Sequence, residues 1–260
     1  MIGIQIYDQI SLIAFWLVFI RVSAIILQFP LFDYFRLPGQ IKVLSTLVIS
    51  YALYYPVKKY VVADISHWGT DNLIALSLYY TLVGVVIGFF IKSILGFANA
   101  AGSIMSQQMG FGAMRYFDPS SNQQVGPVEK LIGICLVLLL ISTGALIPMF
   151  KGVVISFEHF NTFQAQKLLV GHEYYSKFFK RIFQISILLA SPLIFSNLLL
   201  YLVLGIVARL VPQMNVLMVS FVLNIGVGLF VFWIISQEMF QSAYNQYVHS
   251  LGVWFKYIGA

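Results

Sequence analysis

The residue types that most often carry catalysis are sparse in this 260-residue chain and are not spaced for it. Its four histidines lie far apart and match no metal-ligand spacing, such as two histidines one helical turn apart. Ser142 lies in an apolar segment, but no apolar segment holds a histidine to act as its base. The apolar segments contain no Asp or Glu, which argues against an intramembrane aspartyl protease. The sequence therefore predicts no enzyme, no metal centre and no cofactor.

Two cations, Arg21 and Lys92, lie within or beside apolar stretches. Ionisable residues are costly in lipid, so each is a candidate functional residue. Lys92 stands near the expected end of a helix, and we expect its side chain to reach a membrane interface. For Arg21 two interpretations stay open: a functional intramembrane charge, or a charge that reaches an interface or is paired inside a subunit contact.

Small residues recur every four positions around Lys92, at Gly84, Gly88, Gly96 and Ala100. Small residues at this spacing let the backbone of another helix approach closely. We therefore expect this helix to pack tightly against others through Gly84, Gly88 and Gly96.

A third candidate is the stretch of about 103–126, which we name the gate loop. It mixes glycine and glutamine with flexible methionine and apolar phenylalanine, which suits neither a lipid-facing helix nor a solvated loop. Irregular backbone at membrane depth is tolerated only inside protein or beside a water-filled cavity. We therefore predict a plug or constriction in a pore, against the simpler alternative of a polar linker. The candidate residues are Gln108, Met109, Gly110, Phe111, Gly112, Met114, Phe117, Asp118 and Pro119. We expect Met109, Phe111, Met114 and Phe117 to form the apolar surface of the plug.

The turn Arg209–Asn215 has a structural interpretation. Arg209 follows a long uncharged run and can bond the carbonyls at the C-terminal end of a helix, where the helix dipole favours a cation. Pro212 is expected to end that helix, and Gln213 and Asn215 to satisfy exposed backbone groups.

The elements that hold these residues must be membrane helices, as the composition indicates. Hydrophobic residues make up 60% of the chain and charged residues 9%, against roughly 25% charged residues in soluble domains. The net charge of +6 does not predict nucleic-acid binding, because the 15 Lys and Arg residues are scattered. We therefore expect the apolar surface to face lipid or apolar partner subunits.

Six apolar segments stand out, separated by polar connections. The segments are Gln9–Phe32, Val43–Val57, Leu73–Ile91, Leu131–Phe150, Ile182–Ala208 and Leu210–Gln237. The polar stretches are 34–42, 58–72, 98–130, 151–181 and 209–215, with a polar-aromatic tail from Glu238. Positive charges divide almost evenly between the two sides of such a bundle, whereas membrane proteins usually concentrate them on one side. A simple up-and-down bundle in lipid is therefore not expected.

At these motifs the chain resembles the FliR family of flagellar type III export-gate subunits, whose virulence-secretion relative is SctT. The resemblance is carried by Gln108-Met109-Gly110 with Asp118-Pro119, and by the run Arg209–Val216, close to the family's Arg-x-x-Pro-Gln-x-Asn-Val turn. Phe19–Ser23 is a weaker third match. Ser220–Asn224 lacks the Pro and Lys common there in the family, and Thr143–Ala145 stands where the family often has Gly-His.

The resemblance implies an all-α fold of helical hairpins, with a FliP-like part at 1–181 and a FliQ-like hairpin and tail at 182–260. It implies a channel that passes unfolded flagellar proteins across the bacterial inner membrane, at the flagellar basal body. The implied partners are FliP-like, FliQ-like and FlhB-like subunits, membrane lipids and transient unfolded substrates, with no nucleic acid. Two alternatives stay open: a virulence (injectisome) gate subunit, and a secondary transporter whose helices break at Pro148 and Pro192.

Overall fold

The computed structural model describes residues 9–29, 38–113, 126–160, 172–213 and 215–259, and every regular element in them is helical. The all-α prediction is therefore confirmed. The α-helices of the described chain are α1 (Gln9–Ile26), α2 (Gly39–Trp68), α3 (Leu73–Gln108), α4 (Pro127–Ser142), α5 (Ile147–His159), α6 (His172–Leu210) and α7 (Val216–Gly259). Short 3-10 turns lie at Thr70–Asn72 and Phe111–Ala113.

The helix α3 continues well past the apolar segment that predicts it. The prediction that 98–130 is a polar connection is wrong over 98–108, which belongs to this helix. The reason is a buried face that repeats every three or four residues at Ile94, Ala98, Ala101 and Met105. Polar side chains such as Asn99 and Ser103 lie between these buried positions, so this part of the helix contains no continuous apolar run.

The same effect lengthens α2 and α7. The prediction of a polar loop at 58–72 is wrong over 58–68, where Val57, Val61 and Ile65 form a buried helical face. The tail from Glu238 is also helical, with Tyr247 and Trp254 buried.

One predicted segment, Leu131–Phe150, forms two helices instead of one. The chain breaks between α4 and α5, where Gly144 has a positive φ of 69°. Glycine adopts this conformation without steric cost, and Pro148 follows in the first turn of α5, where proline is well tolerated. The pairing of glycine after one helix with proline at the start of the next is a sequence signal for the break.

Four helices of the described chain are long and apolar enough to cross a membrane: α1, α3, α6 from Ser176, and α7 up to Phe255. The broken pair α4 and α5 makes a fifth if it counts as one span. The remaining predicted segment, Val43–Val57, lies inside α2, which does not meet the same criterion.

The contacts divide the described chain into two compact units. Unit 1 contains the described parts of Met1–Ile94, Gly144–Tyr175 and Ser250–Ala260, whereas unit 2 contains those of Leu95–Thr143 and Ser176–His249. Within unit 1, α2 packs against α1 and against α5. These boundaries differ from the division at residue 181 that the FliR resemblance implies, and that division stays a prediction.

Candidate functional site

Arg21 is fully buried in unit 1 and bonds the end of a neighbouring helix. One terminal nitrogen donates to the carbonyl oxygen of Ser156 at 2.7 Å and to its hydroxyl at 3.2 Å. The other donates to the carbonyl oxygen of Phe160 at 3.4 Å. Both carbonyls lie at the C-terminal end of α5, where the helix dipole favours a cation. The planar guanidinium suits this double contact, because its donors form a rigid fork.

Aromatic rings and a buried carboxylate complete the surroundings of Arg21. Its guanidinium carbon lies 4.2 Å from the centre of the Phe157 ring and 5.7 Å from that of Tyr80. The Tyr80 hydroxyl donates to the buried Asp64 carboxylate at 2.8 Å. We name these residues together with Ser156 and Phe160 the arginine cluster. Because its members lie on α1, α2, α3 and at α5, the cluster joins four helices of unit 1.

In this geometry the buried Arg21 side chain is paired with backbone carbonyl groups of its own chain. Lys92 differs, since it is exposed and lies in the middle of α3. Its expected position near a helix end is therefore wrong, because α3 extends sixteen residues beyond it to Gln108. That its side chain reaches an interface stays a prediction.

Gly84 and Gly88 lie where α3 passes closest to α1. A Cβ atom added at Gly84 would stand 2.6 Å from the Arg21 carbonyl oxygen and 2.8 Å from the Ala24 Cβ. One at Gly88 would stand 2.7 Å from the Gln28 amide nitrogen, which itself donates to the Val85 carbonyl at 3.0 Å. Gly96 is different: among the described residues, nothing lies within 4 Å of its added Cβ.

In unit 2, the prediction of a loop from about 103 is wrong over 103–108, which is the end of α3, and the residues that follow this helix pack against α7. Met109, the residue after α3, is fully buried, and a Cβ atom at Gly228 would stand 2.6 Å from its Cγ. Gly110 follows with a positive φ of 83°, a conformation that favours glycine. Phe111 and Gly112 are half-buried in the 3-10 turn that comes next. The remaining candidates, Met114, Phe117, Asp118 and Pro119, lie outside the described residues.

Two buried asparagines lie beside these residues. Asn197 on α6 donates from its amide nitrogen to the side-chain oxygen of Gln108 at 2.5 Å. Asn224 on α7 donates to the Tyr201 hydroxyl oxygen at 3.1 Å. The last residue of α3 is thus bonded to one arm of the hairpin formed by α6 and α7.

The four residues singled out at 209–215 lie at the end of α6 and in the turn that joins it to α7. Arg209 is exposed in the last turn of α6, and Pro212 and Gln213 are exposed beyond it. The Asn215 side-chain oxygen accepts a hydrogen bond from the backbone N–H of Met218 at 3.3 Å. Asn215 therefore caps the N-terminus of α7.

Sequence reasoning missed Asp64, Asn197 and Asn224. Asp64 was assigned to a polar loop, although it shares the buried helical face of Val61 and Ile65. The two asparagines lie in segments free of charge, where a search for Lys, Arg, Asp and Glu passes over them. A polar amide in a long apolar helix is itself a signal for helix contact. Within the described residues, no group of three or more His, Cys, Asp or Glu side chains could hold a metal ion.

These features define an α-helical membrane protein with a buried charge cluster and with a turn at Met109 and Gly110 that packs against α7. Residues 12–250 match the family of bacterial export proteins, family 1, and the chain belongs to this family. It is similar to the flagellar biosynthetic protein FliR of Bacillus subtilis (strain 168), with 29% identity over 219 residues that cover 83% of each chain. It is similar to FliR of Aquifex aeolicus (strain VF5), with 26% identity over 225 residues, 85% of this chain and 84% of the relative. It is also similar to the surface presentation of antigens protein SpaR of Shigella flexneri, with 22% identity over 179 residues, 69% of each chain.

The predicted FliR resemblance is therefore confirmed, and with it the location in the bacterial inner membrane at the flagellar export apparatus. The family is one of export proteins, which agrees with the absence of a recognisable catalytic constellation in the sequence.

Proposed function

We propose that this chain is the FliR-like subunit of a type III export gate and that its gate loop helps to close the channel at rest. The channel passes unfolded flagellar proteins across the inner membrane. The flagellar branch is favoured over the virulence branch because identity to FliR proteins reaches 29%, whereas identity to SpaR is 22%. The observation that carries the gate is the turn at Met109 and Gly110, which packs against α7 at the end of α3.

A resting export channel must block ions, since a leak would dissipate the membrane potential. A dry apolar constriction blocks them by dewetting. The same constriction must yield to many different unfolded chains, and flexible Met and planar Phe side chains on a glycine-containing loop can repack around each of them. A rigid lock of paired charges would bind some sequences and reject others.

We assign the apolar gate residues two different roles. Met109 is fully buried against Gly228, so we assign it to the anchor of the loop and not to its sealing surface. Phe111, Met114 and Phe117 remain for the seal. The turn at Gly110 separates Met109 from the residues assigned to the seal.

The family places the chain among export-apparatus components, and we propose FliP-like, FliQ-like and FlhB-like subunits as its specific partners. Support comes from the many large apolar side chains that unit 2 leaves exposed. In α7, only 11% of the most apolar stretch is buried, although the helix is long enough to cross a membrane. Such a surface requires lipid or partner helices to cover it.

A secondary transporter finds less support. Its binding site would need helices broken near the middle of the membrane. Pro192 lies inside α6, which continues through it as one helix from His172 to Leu210. Pro148 does follow a break, between α4 and α5, but the family that the chain matches is one of export proteins.

Deleting Gly110–Phe117 tests the gate. We expect the complex to assemble with its partners and the membrane to become permeable to ions and small dyes. The measurement is dye uptake and growth of cells that express the complex, normalised to the amount co-purified. The control replaces the same eight positions with glycine and serine, which keeps the length and removes the apolar seal. This control should leak as well. A deletion complex that assembles and stays tight would show that the loop is a packing element only.

A further inference from the structure

Asn197 and Asn224 are the buried side-chain amides of the hairpin. Each lies in a helix stretch that is otherwise almost wholly apolar, and each is less than one-tenth exposed. Burying an amide in such a place is unfavourable unless it finds hydrogen-bond partners. A leucine at either position would pack there at no such cost, so the two amides point to a role beyond filling space.

Their contacts converge on the root of the gate loop. Asn197 bonds Gln108, the residue before Met109. Asn224 lies beside Gly110, the residue after Met109, since its Cβ is 3.6 Å from the position of a Cβ at Gly110. Met109 itself packs against Gly228, one helical turn along α7 from Asn224. The residue before Met109 is therefore hydrogen-bonded to one asparagine, and the residue after it is in van der Waals contact with the other.

The amides are not fully paired by protein groups. The Asn224 amide nitrogen donates a hydrogen bond to the Tyr201 hydroxyl oxygen, but the Asn224 side-chain oxygen is buried with no hydrogen-bond partner among the described residues. A small cavity of about 10 Å³ lies beside it, lined also by Gln108, Ser196 and Asn197. A cavity of that volume is about large enough for one water molecule.

We propose that Asn197 and Asn224 form a polar latch that positions the root of the gate loop, an inference that rests on the proposed gate function. The latch uses neutral amides, which can separate and pair again without exposing a charge to a dry interior. Hydrogen bonds between helices in membranes are modest in strength. The root is thus held at rest and can shift when a polypeptide displaces the seal.

A double-mutant cycle at Gln108 and Asn197 tests the latch in the complex co-expressed with its partners. Asn197→Leu leaves the Gln108 amide without its partner, and Gln108→Leu does the reverse, so both should lower the yield of complex and raise the dye leak. The pair Gln108→Leu with Asn197→Leu removes both polar groups. Its yield should return to that of the unmutated complex, while the leak per complex stays raised by roughly three- to tenfold, as expected for one modest interhelical bond.

Two matched variants separate positioning from packing. The exchange of Gln108→Asn with Asn197→Gln keeps both amides and nearly the same total volume, and it should be tight. Gln241→Leu removes an exposed amide elsewhere on α7 and should change neither yield nor leak.

The leucine pair decides the latch. A leucine pair that assembles and stays tight overturns it, and so does one that fails to assemble, since the amides would then serve folding and not positioning. The deletion of Gly110–Phe117, assayed in parallel, decides the gate separately. A leaky deletion with a tight leucine pair refutes the latch alone, whereas a tight deletion refutes the proposed gate.

Discussion

Unit 1 buries an arginine and an aspartate, whereas the polar side chains buried in the described part of unit 2 are all uncharged: Ser106, Ser186, Asn197 and Asn224. A buried charge is very costly once its partners are removed, so a cluster such as that of Arg21 fixes its helices in one arrangement. Amides and hydroxyls lose far less when they exchange partners. The comparison suggests that unit 1 serves as a fixed support, and that unit 2 contains the part able to rearrange.

The two units also differ in how much of their apolar surface they cover themselves. In α1, 44% of the most apolar stretch is buried, against 11% in α7. Trp233, Leu217 and Phe230 in α7 are all more than 60% exposed. Within unit 1 the apolar surface of α1 is therefore covered to a large extent, while α7 depends on lipid or partner subunits.

The strongest test of this contrast is Arg21→Met. The variant removes the guanidinium bonds to the carbonyl oxygens of Ser156 and Phe160 and leaves these buried acceptors without their donor. Leaving a buried polar group unpaired costs about 1–3 kcal/mol. We expect a severe loss of assembled complex and a lower midpoint of thermal unfolding in detergent. Arg21→Lys should be intermediate, since lysine keeps the charge but not the fork of donors.

Lys92→Met is the matched control for that experiment, because Lys92 is an exposed cation on α3. It should leave the yield of complex close to that of the unmutated protein. Equal stability of Arg21→Met and Lys92→Met would mean that the arginine cluster does not hold unit 1 together.

The α-helical class and the family could be read from the sequence, but the arginine cluster could not. Composition and apolar runs predict the helices. The family is indicated by two motifs, Gln108-Met109-Gly110 and the Arg209–Val216 turn. By contrast, Arg21 and Phe160 are 139 positions apart, and a single sequence does not show which helices meet. Helix ends were missed for a different reason: polar residues on the exposed face of α3 interrupt the apolar run while the buried face continues.

A second test compares one glycine from each unit. Gly84→Ala in unit 1 places a Cβ 2.6 Å from the Arg21 carbonyl oxygen, so α1 and α3 must move apart. Overpacking of this kind costs about 1–3 kcal/mol. Gly96→Ala in unit 2 meets no atom of the described chain, and alanine favours a helix over glycine by up to about 1 kcal/mol.

We therefore expect opposite signs for these two changes in the thermal unfolding midpoint of the purified complex. A destabilising Gly96→Ala would be informative, because it would place a partner helix against that face of α3. A neutral Gly84→Ala would contradict the close approach of α1 and α3.

The smallest expected effect concerns the exposed turn of unit 2. Asn215 caps α7 through one hydrogen bond to Met218, and replacing such a cap with alanine costs about 1 kcal/mol. Asn215→Ala should lower the unfolding midpoint slightly and leave export intact, because the turn serves structure and not transport.

Arg209→Ala should reduce the amount of assembled complex, since Arg209 lies in the last turn of α6, where a cation is favoured. Gln213→Ala is the control, as an exposed residue of the same turn. Normal assembly of Asn215→Ala or Arg209→Ala together with failed export of flagellar protein into the medium would assign this turn a direct part in transport.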